Sequence, residues 1–224
     1  MQAVKDGSGV IRLAPGLYEL TPTEWTVLAA SGATYTEKAV LALDGQTLIG
    51  GGRSNTIILS EGDPYGFDGK IITQGTSALR NLSIAYEGLT AIDSRGDLTM
   101  CTADIYCHNP NPTAGGEGIY YCPNSKGQHI LQLYDCQVVG DRDTQWSCGL
   151  YICNGCAWEP LSTFPKVIVQ CNSWIWKWSC GLYWTEWSNE GEITADYDCE
   201  SFAENSEEGA AYEDSDGNWV TLCP

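Results

Sequence analysis

The six-residue word Trp-Ser-Cys-Gly-Leu-Tyr occurs twice in this chain, at Trp146–Tyr151 and again at Trp178–Tyr183. The copies are 32 residues apart, and a repeated word of this length that contains Trp and Cys rarely arises by chance. Self-similarity at a fixed spacing of about 20–50 residues is the signature of repeat architectures. The word therefore marks a duplicated active site, a pair of metal ligands or a structural repeat.

The same interval recurs along the second half of the chain. Short apolar or aromatic strands follow Gly88, Gly118, Gly149, Gly181 and Gly209, at intervals of 30, 31, 32 and 28 residues. The later ones are followed by a second strand that ends in a cysteine, at Cys136, Cys171, Cys199 and Cys223. We expect each repeat to be a coil of short strands, with Gly149 and Gly181 at turns. Stacked coils would pair in parallel and bury a continuous inner column.

Short strands are predicted throughout the chain. The runs are four to six residues long, rich in branched residues and bounded by Gly, Asn, Asp, Pro and Ser. Examples are Val10–Leu13, Thr56–Leu59, Leu82–Ile84, Ile130–Leu133 and Val167–Val169. Because no segment keeps a 3.6-residue apolar period, we expect few helices and an all-β fold.

Two N-terminal segments, Gly9–Leu20 and Asp44–Leu59, each combine a strand with Gly-rich or Pro-Gly turns. In this pattern the chain resembles the right-handed parallel β-helix proteins of the pectin-lyase-like superfamily. The resemblance implies a solenoid of about seven to eight coils. It implies no single chemistry, because the fold hosts lyases, hydrolases, phage tailspikes and adhesins.

The resemblance also implies one β-helix domain over residues 1–224. Residues 1–8 would be the remnant of an N-terminal cap, since Gln2–Lys5 looks like the end of the amphipathic helix that covers the first coil in this family. The first coils would occupy 9–87, and coils of about 28–32 residues with Trp-rich and acidic turns would occupy 88–224. A shortened cap implies a larger polypeptide or a neighbour that covers the first coil.

Eleven cysteines are an odd number, so they cannot all pair within a monomer. Their spacing fits no standard zinc pattern, because Cys153-Asn-Gly-Cys156 stands without a second pair. Repeat positions instead predict three stacked columns of buried cysteines, with a disulfide as an alternative for the last of them. The columns are Cys136–Cys171–Cys199–Cys223, Cys122–Cys153 with Thr185 next in line, and Cys148–Cys180.

The formal charge of −18 is concentrated near the C-terminus. Residues 178–224 contain no Lys, Arg or His, and twelve carboxylates lie between Glu186 and Asp216. Such a surface repels phosphate backbones, which argues against nucleic-acid binding. No apolar run approaches the length of a spanning helix, so membrane insertion is not expected. The acidic run is interpreted as a solvated face or a cation-binding face.

Five aspartates are candidate catalytic residues for a polysaccharide lyase or a glycoside hydrolase on the outer face. Asp135 and Asp198 should occupy equivalent positions in their coils, with Gln170 between them. As an alternative, the Asp-Cys endings are turns in which the carboxylate binds the local backbone. The candidates are Asp135, Asp141, Asp143, Asp196 and Asp198.

Calcium is the cofactor that the sequence suggests. Asp214, Asp216 and Asn218 alternate along the chain as calcium-loop ligands do. The segment lacks the glycine and the glutamate that complete such a loop, so a plain turn is the alternative.

Tryptophans supply the candidate ligand-binding residues. Trp174, Trp176 and Trp178 alternate, so they should share one face of a strand. An exposed aromatic patch of this kind suits a glycan, because sugar rings stack on indoles. Contact with a partner or subunit and packing within the chain are the alternatives. The full set is Trp146, Trp174, Trp176, Trp178, Trp184 and Trp187.

These features predict a surface recognition module, of the kind found in virion tailspikes, fibres or decoration proteins, that binds a glycan or protein partner. A polysaccharide lyase or glycoside hydrolase is one alternative, and a self-assembling capsid or filament subunit is another. We expect a homo-oligomer or a part of a larger assembly, at a virion or extracellular surface. The missing export leader and the stacked cysteines favour assembly in a reducing cytoplasm.

Overall fold

The computed structural model shows an all-β protein with long parallel sheets, which confirms the all-β part of the prediction. It describes residues 9–28, 34–62, 69–111, 113–141, 147–153, 163–185, 193–202, 204–205, 207–214 and 217–223. Within these ranges, the helical structure is a single short 3₁₀ helix, Cys199–Phe202. None of the described segments is a helix long and apolar enough to cross a membrane.

Sheet I contains eleven strands in the described part of the chain, and all of its strand pairs are parallel. The strands are β1 (Val10–Arg12), β2 (Gly16–Leu20), β5 (Thr47–Ile49), β6 (Thr56–Glu61), β8 (Thr76–Glu87), β10 (Asp97–His108), β12 (Gly127–Tyr134), β13 (Gln137–Val139), β15 (Thr163–Gln170), β16 (Trp174–Trp176) and β18 (Thr194–Tyr197). The predicted runs of branched residues fall within these strands.

Sheet II contains nine strands in the same described ranges, and it is parallel except at its two ends. The strands are β3 (Thr23–Leu28), β4 (Thr34–Asp44), β7 (Lys70–Gln74), β9 (Thr90–Ser94), β11 (Gly116–Tyr121), β14 (Ser147–Cys153), β17 (Cys180–Thr185), β19 (Glu208–Glu213) and β20 (Trp219–Cys223). The pairs β3–β4 and β19–β20 are antiparallel.

From β8 onward the chain alternates between the two sheets, and the core lies between them. In sheet I, Met100 pairs with Leu133, which pairs with Val169. In sheet II, Ile119 pairs with Leu150. These side chains are at most 1% exposed, and each contributes about 1.5–3 kcal/mol of burial free energy. Like residues therefore stack at strand spacing, about 4.8 Å.

The repeated word occupies neighbouring strands of sheet II. Cys148 pairs with Cys180 in β14 and β17, as the 32-residue spacing predicts. The prediction that Gly149 and Gly181 form turns is wrong, because both lie inside these strands. Their role is to leave space. A Cβ at Gly149 would lie 3.1 Å from Trp178 Cδ1.

The cysteine columns are confirmed in part. Cys153 pairs with Thr185, as predicted, and Cys148 and Cys180 are free thiols.

The column through Cys136, Cys171, Cys199 and Cys223 is wrong. Cys199 and Cys223 form a disulfide with Cα atoms 5.6 Å apart, which joins the 3₁₀ helix to the last strand. Cys171 is exposed while Cys136 is buried, because Cys171 has left-handed backbone geometry (φ +56°) in the turn after β15.

A buried ion network links strands β4, β7 and β9 within sheet II. Lys70 Nζ lies 2.9 Å from both Glu37 Oε2 and Asp93 Oδ2, and Arg95 Nη2 lies 2.7 Å from Glu37 Oε1. Burial alone would raise the pKa of Asp93, but the charges of Arg95 and Lys70 outweigh it and lower the pKa. Since Lys70 and Asp93 are nearly inaccessible, this cluster supports the fold rather than a ligand.

Candidate functional site

A row of outward-facing side chains crosses sheet I. Ser83 aligns with Asp104, Asp104 with Gln137, and Gln137 with Trp174. The next residue in each strand, such as Ile105, is buried in the core. Because side chains alternate along a strand, the row lies on the outer face. It leads from a buried carboxyl group to an indole that is 43% exposed.

A second row lies two residues further along the same strands. Tyr106 aligns with Val139, and Val139 aligns with Trp176. The Tyr106 side chain is exposed, and the half-buried Trp176 ring has the Lys177 ammonium 4.5 Å from its centre. We call the surface formed by these two rows the outer groove.

Trp174 stands between two depressions of the outer groove. The smaller depression has a volume of about 260 Å³ and is lined by Gln137, Trp174, Trp176 and Glu204. The larger one, about 570 Å³, is lined by the turn after β15 and by residues that include Asp196, Asp198 and Glu200. One exposed indole therefore adjoins both an aromatic depression and an acidic one.

The opposite end of the groove holds an arginine between two aspartates. Arg53 Nη1 lies 3.5 Å from Asp104 Oδ1 and 3.6 Å from Asp135 Oδ1. Gln137 N donates a hydrogen bond of 3.1 Å to Asp104 Oδ1. Arg53, Asp104 and Gln137 line a third depression of about 460 Å³. The side chain of Asp104 is 6% exposed and that of Asp135 is 42% exposed, so the two carboxylates differ in solvation.

Burial raises the pKa of Asp104, and the nearby charge of Asp135 raises it further, while Arg53 acts in the opposite direction. A carboxyl group with a raised pKa beside a second, exposed carboxylate is a common arrangement in acid–base catalysis. Asp104 carries no signal in the sequence, because it lies in mid-strand between Ala103 and Ile105. Only the folded arrangement, which brings Arg53 from a distant turn, identifies it.

The predicted equivalence of Asp135 and Asp198 is wrong by one residue. The register of β15 and β18 ends with Val169 beside Tyr197, so the next residue, Asp198, is in line with Gln170. Asp135 lies one position further, where its N–H donates to the carbonyl of Cys171 at 3.0 Å. The two aspartates therefore do not form a ladder, and Asp135 instead contacts Arg53.

Asp196 and Asp198 both face the larger depression. Asp196 Oδ2 accepts a hydrogen bond of 2.9 Å from Gln170 Nε2. Asp198 Oδ1 accepts one of 3.2 Å from the N–H of Glu200, so the predicted turn role applies to Asp198. Both side chains are exposed.

Asp141, another predicted catalytic residue, does not join this group. Asp141 Oδ2 lies 2.7 Å from His108 Nδ1, just beyond the ends of β10 and β13. Asp143 lies outside the described residues. The four described aspartates are thus divided among separate positions rather than assembled into one centre.

The tryptophans also divide into two groups. Trp174 and Trp176 line the outer groove, as predicted. Trp178 is 3% exposed and its Nε1 donates to the carbonyl of Val138 at 3.1 Å. The predicted alternation fails there because β16 ends at Trp176 and Lys177 has left-handed geometry (φ +63°).

Trp184 is likewise a core residue. It is 7% exposed and stacks on Tyr212 with ring centres 5.0 Å apart. Its assignment to a binding surface is therefore wrong. Trp146 and Trp187 lie outside the described residues.

Two of the proposed calcium residues, Asp214 and Asn218, lie in the turn between β19 and β20. Asp214 Oδ1 accepts a hydrogen bond of 2.8 Å from the N–H of Asn218, whose side chain also donates to the same carboxylate. These contacts are those of a turn. Asp216 lies outside the described residues, and no group of three metal-binding side chains is assembled within the parts of the chain described.

A column of aromatic rings lies on the outer face of sheet II, and it was not predicted from the sequence. Tyr120, Tyr151, Tyr183 and Trp219 follow one another with ring centres 5.4, 5.3 and 4.9 Å apart. Trp219 reaches Tyr183 over Ala211, the small residue that pairs with Tyr183 in β19. Since each ring covers the face of the next, the column stabilises the sheet and offers mainly ring edges to a ligand.

Comparisons of this chain with protein-family models, with curated proteins and with solved structures gave no match.

Proposed function

We propose that the two sheets are walls of a right-handed parallel β-helix whose outer groove binds a glycan. Three observations support the solenoid: strands alternate between the sheets, strand pairs within the chain are mostly parallel, and partners such as Ile119 and Leu150 are one repeat apart. Stacked coils produce this pattern.

The exposure of Trp174 is the main observation that supports glycan binding. Trp174 is 43% exposed, although the residues that align with it across the sheet are buried or half-buried. An exposed indole beside polar groups suits a pyranose ring, which stacks through its C–H face while its hydroxyls form hydrogen bonds. Gln137 and Glu204 line the same depression and supply such polar groups.

Replacement of Trp174 tests this proposal. We expect W174A to lose binding on a glycan array, with an unchanged thermal unfolding midpoint. W219A is the matched control, because Trp219 is 53% exposed but lies at the end of sheet II. Equal binding by W174A and the wild-type protein would rule out the outer groove as the site.

A second candidate function, hydrolysis of the bound glycan, is favoured by the pair Asp104 and Asp135. Hydrolases need an acid and a base about 5–9.5 Å apart, and both carboxylates lie within 3.6 Å of one nitrogen of Arg53. Asp104 would protonate the glycosidic oxygen, and Asp135 would take a proton from the attacking water.

Release of reducing ends from a glycan that the protein binds tests this candidate. We expect D104N to abolish release while binding is retained, and D141N to leave release unchanged. A wild-type protein that binds the glycan and releases no reducing ends would limit the function to recognition.

The compartment proposed is extracellular, or the surface of a virion. The disulfide between Cys199 and Cys223 supports an oxidising environment, in contrast to the reducing cytoplasm favoured by the stacked cysteines. Thiol labelling of protein purified without reductant, followed by peptide mass spectrometry, tests it. Labelled Cys199 and Cys223 would contradict the proposal.

A further inference from the structure

We infer that the glycan bound in the outer groove is cationic, a polymer of 2-amino-2-deoxy sugars whose amines are free. This inference rests on the proposed glycan-binding function and adds the class of sugar. It follows from the combination of one exposed indole with uncompensated carboxylates next to it.

The carboxylates beyond Trp174 have neutral partners. Asp196 accepts a hydrogen bond from the amide of Gln170, and Asp198 accepts one from the backbone of Glu200. The side chains of Asp196, Asp198 and Glu200 are all exposed and line the larger depression. Since residues 178–224 contain no Lys, Arg or His, the chain offers this end of the groove no cation from its own C-terminal part.

Two basic side chains of the groove, those of Arg53 and Lys177, are already engaged. Arg53 lies between Asp104 and Asp135, and Lys177 lies over the ring of Trp176. A polyuronate or sulfated glycan would therefore meet carboxylates rather than available cations, and like charges at close range oppose binding. A polymer with ammonium groups would instead be attracted by these carboxylates.

The indole of Trp174 favours a ligand with a flat apolar face, which the carboxylates alone do not select. Trp174 can take the C–H face of one sugar ring, and an ammonium group near an indole face gains a cation–π interaction. These features fit a pyranose that carries an amine better than a flexible basic peptide.

The test compares three oligosaccharides of equal length by isothermal titration calorimetry at mildly acidic pH. They are the hexamers of glucosamine, N-acetylglucosamine and galacturonic acid, and polylysine serves as a fourth probe. We expect glucosamine hexamer to bind at least tenfold more tightly than its acetylated form, and the preference to shrink at high salt.

Two variants separate charge from stacking. D196N/D198N should reduce the preference for the amine while it retains binding of the acetylated hexamer, and W174A should weaken binding of both. E19Q/E24Q is the control, because it removes two exposed carboxylates from the N-terminal strands β2 and β3.

Each outcome decides between the proposals. Equal affinity for the hexamers of glucosamine and N-acetylglucosamine would overturn the inference of a cationic glycan and leave the proposal of glycan binding intact. Tighter binding of the galacturonic acid hexamer would do the same. Polylysine binding that is equally tight and insensitive to W174A would point to a basic peptide and overturn it as well. Failure of every sugar, here and on a wider array, would overturn the proposed function itself.

Discussion

The indole of Trp178 lies against Gly149, so the first residue of one WSCGLY copy packs on the glycine of the other. A Cβ built on Gly149 would approach Trp178 Cδ1 to 3.1 Å and Ile175 Cγ2 to 2.0 Å. Gly118 and Gly140 also border the ring. The repeated word therefore supplies both a gap in the packing and the side chain that fills it, and the glycine and tryptophan that its two copies share serve packing.

Replacement of Gly149 by alanine should destabilise the protein. Gly149 is extended within β14, so the backbone tolerates a side chain, and the penalty arises from the clash with Ile175. Overpacking of this kind costs about 1–3 kcal/mol. Urea unfolding measures it. G9A is the control, because a Cβ at Gly9 has no neighbour within 4 Å, and equal midpoints for the two variants would contradict the packing role.

Trp178 and Trp174 should respond differently to truncation. We expect W178A to lower the free energy of unfolding by about 3–5 kcal/mol, because it empties a core site. W174A should change it by about 0.5 kcal/mol or less, as at other exposed positions. Thermal denaturation followed by near-UV circular dichroism gives both values. The reverse order would show that the assignment of the two indoles to core and groove is wrong.

Asp93 should make stability depend on acid pH. Its pKa is lowered in the folded state, so its ionised form stabilises the fold above the unfolded pKa of about 3.9. That contribution is lost as the pH falls through the lower, folded pKa.

At neutral pH, D93N should lose about 3–5 kcal/mol, because Lys70 and Arg95 are left buried with too little negative charge. The gap between D93N and the wild-type protein should narrow as the pH falls below about 4. Unfolding midpoints across pH measure this gap. D44N, at an exposed position in sheet II, should show no such dependence, and a constant gap for D93N would contradict the prediction.

The Cys199–Cys223 disulfide should stabilise the C-terminal end of the fold. It closes a loop with a sequence separation of 24 residues, for which the expected contribution is about 3 kcal/mol. We expect C199S/C223S to unfold at a lower temperature and the wild-type protein to match it under reducing conditions. C171S alters an exposed free thiol and should have no effect. A midpoint unchanged by the double substitution would argue against the bond.

The sequence by itself determined the class of fold and the period of its repeat. Local information suffices for this, because branched residues favour strands wherever they occur and a constant interval places Cys148 beside Cys180 in neighbouring strands. The alternation of tryptophans in the sequence also identified Trp174 and Trp176 as candidate ligand-binding residues. Locally determined properties of this kind do not depend on which distant segments come together.

The tertiary structure alone decided which side of the sheet each residue occupies and which distant groups meet. A left-handed residue at Lys177 reverses the alternation and sends Trp178 into the core. The register of the strands in sheet I places Asp135 beside Cys171, one position beyond Gln170, and so separates it from Asp198. Arg53 reaches Asp104 only because the folded chain brings two distant segments together. Because side chains alternate with a period of two, a single-residue change in a turn exchanges core and surface, and such changes leave little trace in composition or spacing.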